Sequence, residues 1–180
     1  MNIKKTNINN LFLVKNLQFK DFRGTFVKTY NNFEILEKTK NNISIKESFV
    51  SQNKKDVLRG MHIQVNKSRS FKLVTCLTGK ILDVCIDLRK KSKTYLNIYD
   101  KLLDSKNYET ILIPPGVAHG FLSLSSNSLI LYEISKNYIK QDDVAIDYRT
   151  IKFKWPIKKP IQSLKDKNAL KLDQFILKYN

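Results

Sequence analysis

The middle of the chain alternates short apolar runs with clusters of turn residues. The runs are rich in β-branched and aromatic residues, and they lie at 25–30, 43–50, 71–77, 81–88, 110–113, 119–124 and 128–134. Runs of this length and composition predict β-strands. The segment 78–80 predicts a tight turn that joins two of these strands in a hairpin, and 125–127 predicts the turn of a second strand pair.

Helical periodicity is confined to two short segments. Residues 31–38 predict a helix with an asparagine as its N-cap, and Ser163 is positioned to cap a brief helix within 163–170. The many short strands separated by turns predict an all-β antiparallel sandwich or barrel. We therefore expect a single domain over residues 1–180 with an interior that can hold a small ligand.

Several polar residues interrupt otherwise apolar strands. Strict alternation along the strand around the first histidine assigns His62 and Gln64 to one face and Arg59 to the opposite face. Lys72 and Asp83 each share a strand face with apolar neighbours. Polar side chains at such positions are candidates for a site inside the sandwich.

The charge of the chain bears on which binding partners are expected. The chain has 33 lysines and arginines against 16 aspartates and glutamates, which gives a formal net charge of +17. The basic residues are mostly lysines spread along the chain without a long block, so we expect no nucleic-acid partner. The same charge favours attraction of a small polyanionic substrate.

The sequence also bears on the compartment. No apolar run approaches the roughly 20 residues of a membrane span, so we expect no membrane insertion. The start of the chain lacks the apolar core of a secretory signal, which predicts a cytoplasmic protein. Cys76 and Cys85 each lie in a predicted strand and form no Cys-x-x-Cys pair, so we expect two buried free thiols.

The chain contains two histidines, and each lies in a glycine-bearing stretch. His62 belongs to the segment 57–64, and His119 belongs to the segment 113–121. Histidine is the side chain that gains or loses a proton near neutral pH without special tuning. Both residues are therefore candidates for proton transfer or for metal binding.

Short motifs occur in a fixed order over nearly the whole chain, at 22–26, 57–64, 72–74, 83–89, 113–121, Tyr132, 155–156 and 163–166. Together they resemble the cupin-fold nucleotide-sugar epimerases typified by dTDP-4-dehydrorhamnose 3,5-epimerase. The resemblance implies an all-β cupin barrel, which is a double-stranded β-helix or jelly roll, with a few short helices.

The resemblance also implies a reaction. The family inverts carbons beside the ketone of a 4-keto-6-deoxy sugar carried on a nucleoside diphosphate, and it needs no metal or redox cofactor. Such an inversion requires a base, a partner for the developing enolate oxygen, and an acid on the opposite face of the sugar. We therefore expect an isomerase that serves the synthesis of a bacterial surface polysaccharide, such as capsule or lipopolysaccharide.

The catalytic groups of the family match residues of this chain. His62 is similar to the base, and Asp166 is similar to the aspartate that pairs with it. Tyr132 is similar to the acid on the other face, and Lys72 is similar to the lysine that faces the oxyanion. The resemblance implies that these four residues are the catalytic set.

Other matches concern substrate binding and assembly. The resemblance implies that His119 and Asp83 form a supporting pair near the same oxygen. It also implies a homodimer, in which Arg23 of one subunit completes the neighbour's site. The candidates that bind the diphosphate, lie near the nucleotide base or frame the site are Arg23, Arg59, Glu47, Tyr138 and Lys165.

The recognition residues depart from the pattern of rhamnose-pathway members. Glu47 stands where those members have a glutamine, Phe49 where they have an asparagine, and Lys28 where they have a glutamate. We therefore expect a different sugar or nucleotide, and a GDP-linked 4-keto-6-deoxy-heptose is one candidate. The sequence leaves open inversion at C3 alone and inversion at both C3 and C5.

Two rival functions also stay open. A metal-dependent cupin usually offers a His-x-His pair, but here Gln64 takes the second place of that pair, so we expect no metal site. A non-catalytic cupin that binds a sugar or nucleotide shares the fold, because a fold does not determine a function. Such a module would not need His62, Asp166 and Tyr132 together.

Overall fold

The computed structural model describes residues 1–179, which form β-sheets with a few short helices. The strands are β1 (Asn2–Lys5), β2 (Phe12–Lys15), β3 (Leu17–Asp21), β4 (Gly24–Lys28), β5 (Glu47–Asn53), β6 (Leu58–Gln64), β7 (Lys72–Thr78), β8 (Lys80–Asp87), β9 (Ile98–Asp104), β10 (Glu109–Ile113), β11 (Val117–Ser123), β12 (Ser128–Ile134) and β13 (Asp143–Ala145). The α-helices are α1 (Asn32–Thr39), α2 (Leu164–Lys167) and α3 (Leu172–Tyr179). Short 3-10 helices lie at Asn66–Ser68, Ser105–Asn107, Lys140–Asp142 and Tyr148–Thr150.

Strands that are distant in sequence lie side by side in two sheets. The first sheet has six strands in the order β1-β2-β10-β7-β12-β5, and the second has five in the order β13-β6-β11-β8-β9. Neighbouring strands in both sheets are antiparallel. The pair β3-β4 forms a separate hairpin. The predicted all-β class with a few short helices is confirmed.

Apolar side chains fill three layers around these sheets. The layer between the sheets includes Val74 of β7, Ile81 of β8 and Ile130 of β12. The C-terminal part of the chain covers the outer face of the second sheet with side chains such as Phe175, and α1 covers the first sheet with Ile35. Because strands such as β8 and β11 are largely buried on both faces, their sequences are mostly apolar.

The two cysteines are free and buried, as predicted. Cys76 and Cys85 both belong to the layer between the sheets. Burial raises the pKa of Cys76 to about 11, and burial together with the Asp83 charge raises the pKa of Cys85. Both thiols therefore stay protonated and pack as small apolar side chains.

The predicted hairpin at 78–80 is wrong. β7 pairs with β10 and β12 in the first sheet, whereas β8 pairs with β9 and β11 in the second. The strand pair predicted across 125–127 is wrong for the same reason, because β11 and β12 also lie in different sheets. Each turn is a corner where the chain crosses between sheets. The local signal marks a change of direction, but non-local pairing decides which sheet each strand joins.

The two corners pack against each other at Gly79. The φ angle of Gly79 is +80°, and a Cβ there would lie 2.6 Å from the carbonyl oxygen of Asn127. Ser125 Oγ accepts a hydrogen bond from the Lys80 amide at 2.9 Å, and Ser128 Oγ donates one to the Lys80 carbonyl at 3.2 Å. Glycine fits this position because it tolerates positive φ and has no side chain to displace the facing backbone.

Both predicted helix starts are confirmed. The Asn31 side chain caps α1 and accepts hydrogen bonds from the amides of Phe33 and Glu34 at 3.1 and 3.4 Å. Ser163 Oγ caps α2 and accepts from the amide of Asp166 at 3.1 Å. The sequence pattern did not predict β1, β2, β3, β9, β13 or α3, which are short or depend on distant neighbours. Within residues 1–179, none of the helices is both long enough and apolar enough to span a membrane.

We expect Gly79→Ala to lower the free energy of unfolding by about 3–5 kcal/mol, since it adds a backbone clash to the strain of positive φ. Gly24→Ala is the matched control. Gly24 also has positive φ, at +132°, but its Cβ would meet nothing within 4 Å. We expect the control to cost only about 1–3 kcal/mol. Urea denaturation measures both values, and equal losses would contradict the contact between the corners.

Candidate active site

A cavity of about 190 Å³ opens between the two sheets. Strands β5, β6, β7, β11 and β12 contribute to its wall, together with the start of β13 and the segment before it. Nine of its eleven lining residues carry a polar or charged group, in contrast to the apolar layer beside it. The lining residues are Phe49, Ser51, Arg59, His62, Gln64, Lys72, His119, Tyr132, Ile134, Tyr138 and Asp143.

The His62 imidazole forms a hydrogen-bonded pair with Asp166 at the cavity wall. A distance of 2.6 Å separates His62 Nε2 on β6 from Asp166 Oδ1 on α2. Asp166 Oδ2 accepts a hydrogen bond from Ser163 Oγ at 3.0 Å. Burial would raise the pKa of Asp166, but hydrogen bonds from His62, Ser163 and the Gly60 amide outweigh it and hold the pKa below its usual value. The charged carboxylate fixes the orientation of the imidazole.

A bulge in β6 turns Arg59 toward the same cavity as His62. Arg59 pairs with Phe121 of β11, and His62 pairs with His119. Two residues separate Arg59 from His62 on β6, whereas one residue separates Phe121 from His119 on β11, so β6 carries one extra residue here. Gly60 permits this close approach, because a Cβ there would lie 2.8 Å from the backbone of β11. One extra residue in a strand reverses the alternation of the residues that follow it.

The predicted placement of Arg59 on the face opposite His62 is therefore wrong. Arg59 lines the cavity, and its Nε donates a hydrogen bond to Asn53 Oδ1 at 2.6 Å. Gln64 lines the cavity beside His62, as alternation predicts, and its Oε1 accepts from Ser70 Oγ at 2.7 Å.

A second imidazole–carboxylate pair is fully enclosed. A distance of 2.6 Å separates His119 Nε2 from Asp83 Oδ2, and the two residues are 4% and 0% exposed. Burial lowers the pKa of His119 more than the Asp83 carboxylate raises it. His119 also lies directly opposite His62 in the register of β11 and β6. His119 and Asp83 therefore form a pair, as predicted, and His119 contributes to the cavity wall.

Lys72 reaches the cavity from β7. Burial lowers the pKa of Lys72, and the carboxylates of Asp143 and Asp83 oppose that effect. Lys72 takes part in none of the ion pairs found within residues 1–179. Its ammonium group is thus placed to meet an anionic oxygen in the cavity.

Tyr132 reaches the cavity from the first sheet, whereas both histidines belong to the second. It is 8% exposed, and its ring stacks on Phe49 with centroids 5.0 Å apart and planes 15° apart. The His119 ring meets Tyr132 edge-on at 6.3 Å. Burial and the Asp83 charge raise the pKa of Tyr132 more than Arg59 lowers it. The phenol therefore stays protonated and can donate a proton.

Three predicted binding residues meet around Asp143 at the open side of the cavity. The Tyr138 hydroxyl donates to Asp143 Oδ2 at 3.0 Å, and the Lys165 ammonium forms an ion pair with the same oxygen. Glu47 Oε1 accepts a hydrogen bond from the Tyr138 amide at 2.7 Å. Tyr138 and Asp143 line the cavity, while Glu47 and Lys165 contact them from outside its lining.

Arg23 lies apart from the other predicted site residues. It follows β3 on the separate hairpin, where its guanidinium pairs with Asp21 at 2.5 Å. Phe19, Phe22 and Phe26 on the same hairpin are 58%, 98% and 62% exposed. Within one chain, Arg23 does not reach the cavity.

Several cavity residues were not predictable from the sequence. Asp143 lies after an irregular segment, so no spacing relates it to Tyr138 or Lys165. Ser51 and Ile134 are ordinary strand residues whose facing side depends on the pairing of β5 and β12. Ser163 did carry a signal, because Ser-x-x-Asp at a helix start is a capping pattern.

The side chains described in residues 1–179 include no group of three or more His, Cys, Asp or Glu arranged to hold a metal ion. His62 and His119 each direct Nε2 to an aspartate. The cavity lining combines two imidazoles held by aspartates with the cations of Arg59 and Lys72 and the phenol of Tyr132.

Sequence comparison places this chain among known epimerases. The family model described as dTDP-4-dehydrorhamnose 3,5-epimerase matches residues 5–174. The dTDP-4-dehydrorhamnose 3,5-epimerase of Shigella flexneri is 33% identical over 181 residues, which cover 98% of this chain and 100% of that protein. The enzyme of the same name from Methanothermobacter thermautotrophicus is 33% identical over 169 residues, with 91% and 90% coverage.

Solved structures agree with the sequence matches. The crystal structure of dTDP-4-dehydrorhamnose 3,5-epimerase from Elizabethkingia anophelis superposes with a TM-score of 0.90 at 32% identity, covering 96% of this chain and 97% of that chain. The dTDP-6-deoxy-D-glucose-3,5-epimerase of Legionella pneumophila, solved with dTDP-4-keto-L-rhamnose, gives a TM-score of 0.90 at 29% identity, with 96% and 93% coverage. The cupin fold and the resemblance drawn from the motifs are confirmed. The chain belongs to the dTDP-4-dehydrorhamnose 3,5-epimerase family.

Proposed function

We propose that this protein inverts C3, or C3 and C5, of a 4-keto-6-deoxy sugar carried on a nucleoside diphosphate. The observation that carries the proposal is the position of His62 and Tyr132 on opposite sheets around one cavity. Inversion at carbon needs proton removal on one face and proton delivery on the other. We place the reaction in the cytoplasm, in the synthesis of a surface polysaccharide.

His62 is the proposed base. With its Nε2–H directed to Asp166, the imidazole takes the proton from the carbon beside the ketone through Nδ1. The electron pair of the broken C–H bond forms the enolate, whose charge resides on the sugar's C4 oxygen. Asp166 stabilises the imidazolium that results, because its lowered pKa keeps it charged.

Lys72 is the proposed partner of the enolate oxygen. A localised ammonium that faces the enolate oxygen stabilises its developing negative charge. The neighbouring Asp83 carboxylate supports the charged form of Lys72, and His119 holds that carboxylate in place. The buried pair thus acts on the reaction through Lys72.

Tyr132 is the proposed acid. Its hydroxyl gives a proton to the opposite face of the carbon, and the enolate electrons return to form the new C–H bond. The phenolate then takes a proton from water, while the His62 imidazolium releases its proton to water. His62 can exchange with solvent because its side chain is 28% exposed.

The remaining predicted residues form the proposed recognition shell. Arg59 lies in the cavity wall, where its planar guanidinium suits diphosphate oxygens. Tyr138 is half-exposed beside the cavity and offers a face for a nucleotide base. Glu47 contacts Tyr138, and Lys165 contacts Asp143, so these two residues fix the position of the side chains at the open side of the cavity.

The identity of the substrate is part of the proposal. The Legionella enzyme was solved with dTDP-4-keto-L-rhamnose. Here Glu47 and Phe49 occupy the strand that borders the cavity, in place of the glutamine and asparagine expected from the rhamnose pathway. This change favours another sugar or nucleotide, and a GDP-linked 4-keto-6-deoxy-heptose is the candidate to test.

We also propose that the chain acts as one domain in a homodimer. The exposed phenylalanines Phe19, Phe22 and Phe26 form an apolar surface on the β3-β4 hairpin. Contiguous apolar surfaces of this kind commonly mark protein contacts. A second copy seated there would bring Arg23 to its cavity, where a guanidinium serves the diphosphate.

The central test uses deuterium oxide and a panel of dTDP- and GDP-linked 4-keto-6-deoxy hexoses and heptoses. We expect the wild-type protein to place deuterium at C3, or at C3 and C5, of at least one of them. His62→Asn should slow this exchange by roughly 10²–10⁴-fold, because it removes the base. Mass spectrometry and proton NMR locate the label, and a melting curve verifies that the variant is folded.

Two outcomes would reject parts of this proposal. Binding of a nucleotide sugar without exchange at any carbon would identify a non-catalytic binding cupin. Unchanged exchange in folded His62→Asn protein would remove His62 as the base.

Removal of the proposed acid should separate the two proton transfers. Tyr132→Phe keeps the ring but loses the hydroxyl, so we expect inversion to slow by roughly 10²–10⁴-fold while exchange on the original face slows much less. Product stereochemistry and label content, measured in the same samples, give both rates. Equal slowing of the two would argue against an acid role.

Subunit mixing tests whether Arg23 acts in the neighbour's site. Arg23→Ala and His62→Asn proteins should each be inactive alone. After subunit exchange in equal amounts, we expect roughly a quarter of the wild-type activity, because half of the dimers then carry one intact site. If mixing restores nothing while sedimentation shows that mixed dimers form, Arg23 does not complete a partner's site.

A further inference from the structure

We propose that Phe49 is a positioning residue for the proton donor, and that its ring both aims and covers the Tyr132 phenol. The inference rests on the proposed function, which gives Tyr132 its role as acid. Phe49 would thereby control proton delivery by Tyr132, which decides whether removal of a proton by His62 leads to inversion.

The geometry of the two rings carries the proposal. Phe49 on β5 and Tyr132 on β12 are direct partners in the strand register. Their ring centroids lie 5.0 Å apart with 15° between the planes, which is a stacked arrangement. Cross-strand aromatic pairs of this kind restrict each other's rotation. The direction of the Tyr132 hydroxyl therefore depends on the Phe49 ring.

Phe49 also stands between Tyr132 and water. β5 is the edge strand of the first sheet, so no further strand of the described chain flanks Phe49. Phe49 is 44% exposed, whereas Tyr132 is 8% exposed. One side of the Phe49 ring therefore faces the outside and the other side covers the phenol.

Phe49 has no polar atom, so its influence on proton transfer passes through Tyr132. Charged and titratable groups also line the cavity with Tyr132 or act on it from other strands. They are Arg59 and His62 on β6, Lys72 on β7, Asp83 on β8 and His119 on β11, together with Tyr138 before β13 and Asp143 on β13. These groups lie on the cavity side of Tyr132, and the substitution Phe49→Ala leaves all of them in the protein. Burial is the largest cause of the raised pKa of Tyr132, and the Phe49 ring supplies part of that burial.

The sign of the pH effect follows from the role of an acid. Tyr132 must be protonated to donate, so activity falls as the pH rises through its pKa. Removal of the Phe49 ring admits water, stabilises the phenolate and lowers the pKa of Tyr132. As the pH rises, Lys72 loses its proton before Tyr132 does, because burial lowers the pKa of Lys72 and raises that of Tyr132. The effect on Tyr132 is therefore followed by the ionisation of its own phenol and not by the alkaline limb of the rate.

The test compares Phe49→Ala with Phe49→Tyr, which keeps the ring, and with Val50→Ala. Val50 is the matched control, because it is exposed on the same strand and does not line the cavity. The substrates are dTDP-4-keto-L-rhamnose and the sugar nucleotide from the panel that the wild-type protein labels best. Label uptake and inversion are measured in deuterium oxide across a range of pH.

We expect Phe49→Ala to lower kcat for inversion by about 10–100-fold, the scale of a misplaced reacting group, with exchange on the original face nearly unchanged. Phe49→Tyr and Val50→Ala should behave like the wild-type protein. A parallel loss of exchange and inversion, a rise in KM alone, or full activity of Phe49→Ala would each overturn the proposal.

A second measurement needs no substrate. Ultraviolet absorbance of tyrosinate during an alkaline titration counts ionising phenols. Phe49→Ala should show one tyrosine ionising at lower pH than in the wild-type protein, and the double variant Phe49→Ala, Tyr132→Phe should lack it. If the wild-type protein labels no sugar, the proposed function fails, yet this titration still decides whether Phe49 covers Tyr132. An unchanged titration would show that it does not.

Discussion

Burial of ionisable groups between two apolar sheets is the constraint on which the site depends. A carboxylate or imidazole removed from water is tolerated only when a partner satisfies it. Here each histidine has an aspartate at 2.6 Å, and Asp166 has a second bond from Ser163. The contacts that make burial tolerable also hold both imidazole rings in one orientation. The cavity is therefore organised before a substrate enters it.

The two-sheet architecture separates the proposed base from the proposed acid. His62 and the pair His119–Asp83 belong to the second sheet, while Lys72 and Tyr132 belong to the first. A sugar ring held between the sheets would present opposite faces to His62 and Tyr132. The corners at which the chain crosses between sheets, such as Gly79, thus serve the site as well as the fold, because they bring consecutive strands to opposite walls of the cavity.

Much of the candidate site was predictable from motifs, and the exceptions have a common cause. His62 and Asp166 are 104 residues apart, so spacing alone could not pair them, but the ordered motifs identified both. Arg59 was assigned to the wrong face because the bulge in β6 arises from its pairing with β11. Asp143 was missed because its position follows from the path of an irregular segment.

The sequence by itself determined the apolar runs that become central strands, the two helix starts with their Asn31 and Ser163 caps, and the family through its ordered motifs. These features depend on local propensity and on residue identity. Only the tertiary structure decided that the turns at 78–80 and 125–127 are corners, that Arg59 shares the cavity with His62, and that Phe49 stacks on Tyr132. Each of these depends on which distant strand lies alongside, and a short segment does not encode that choice.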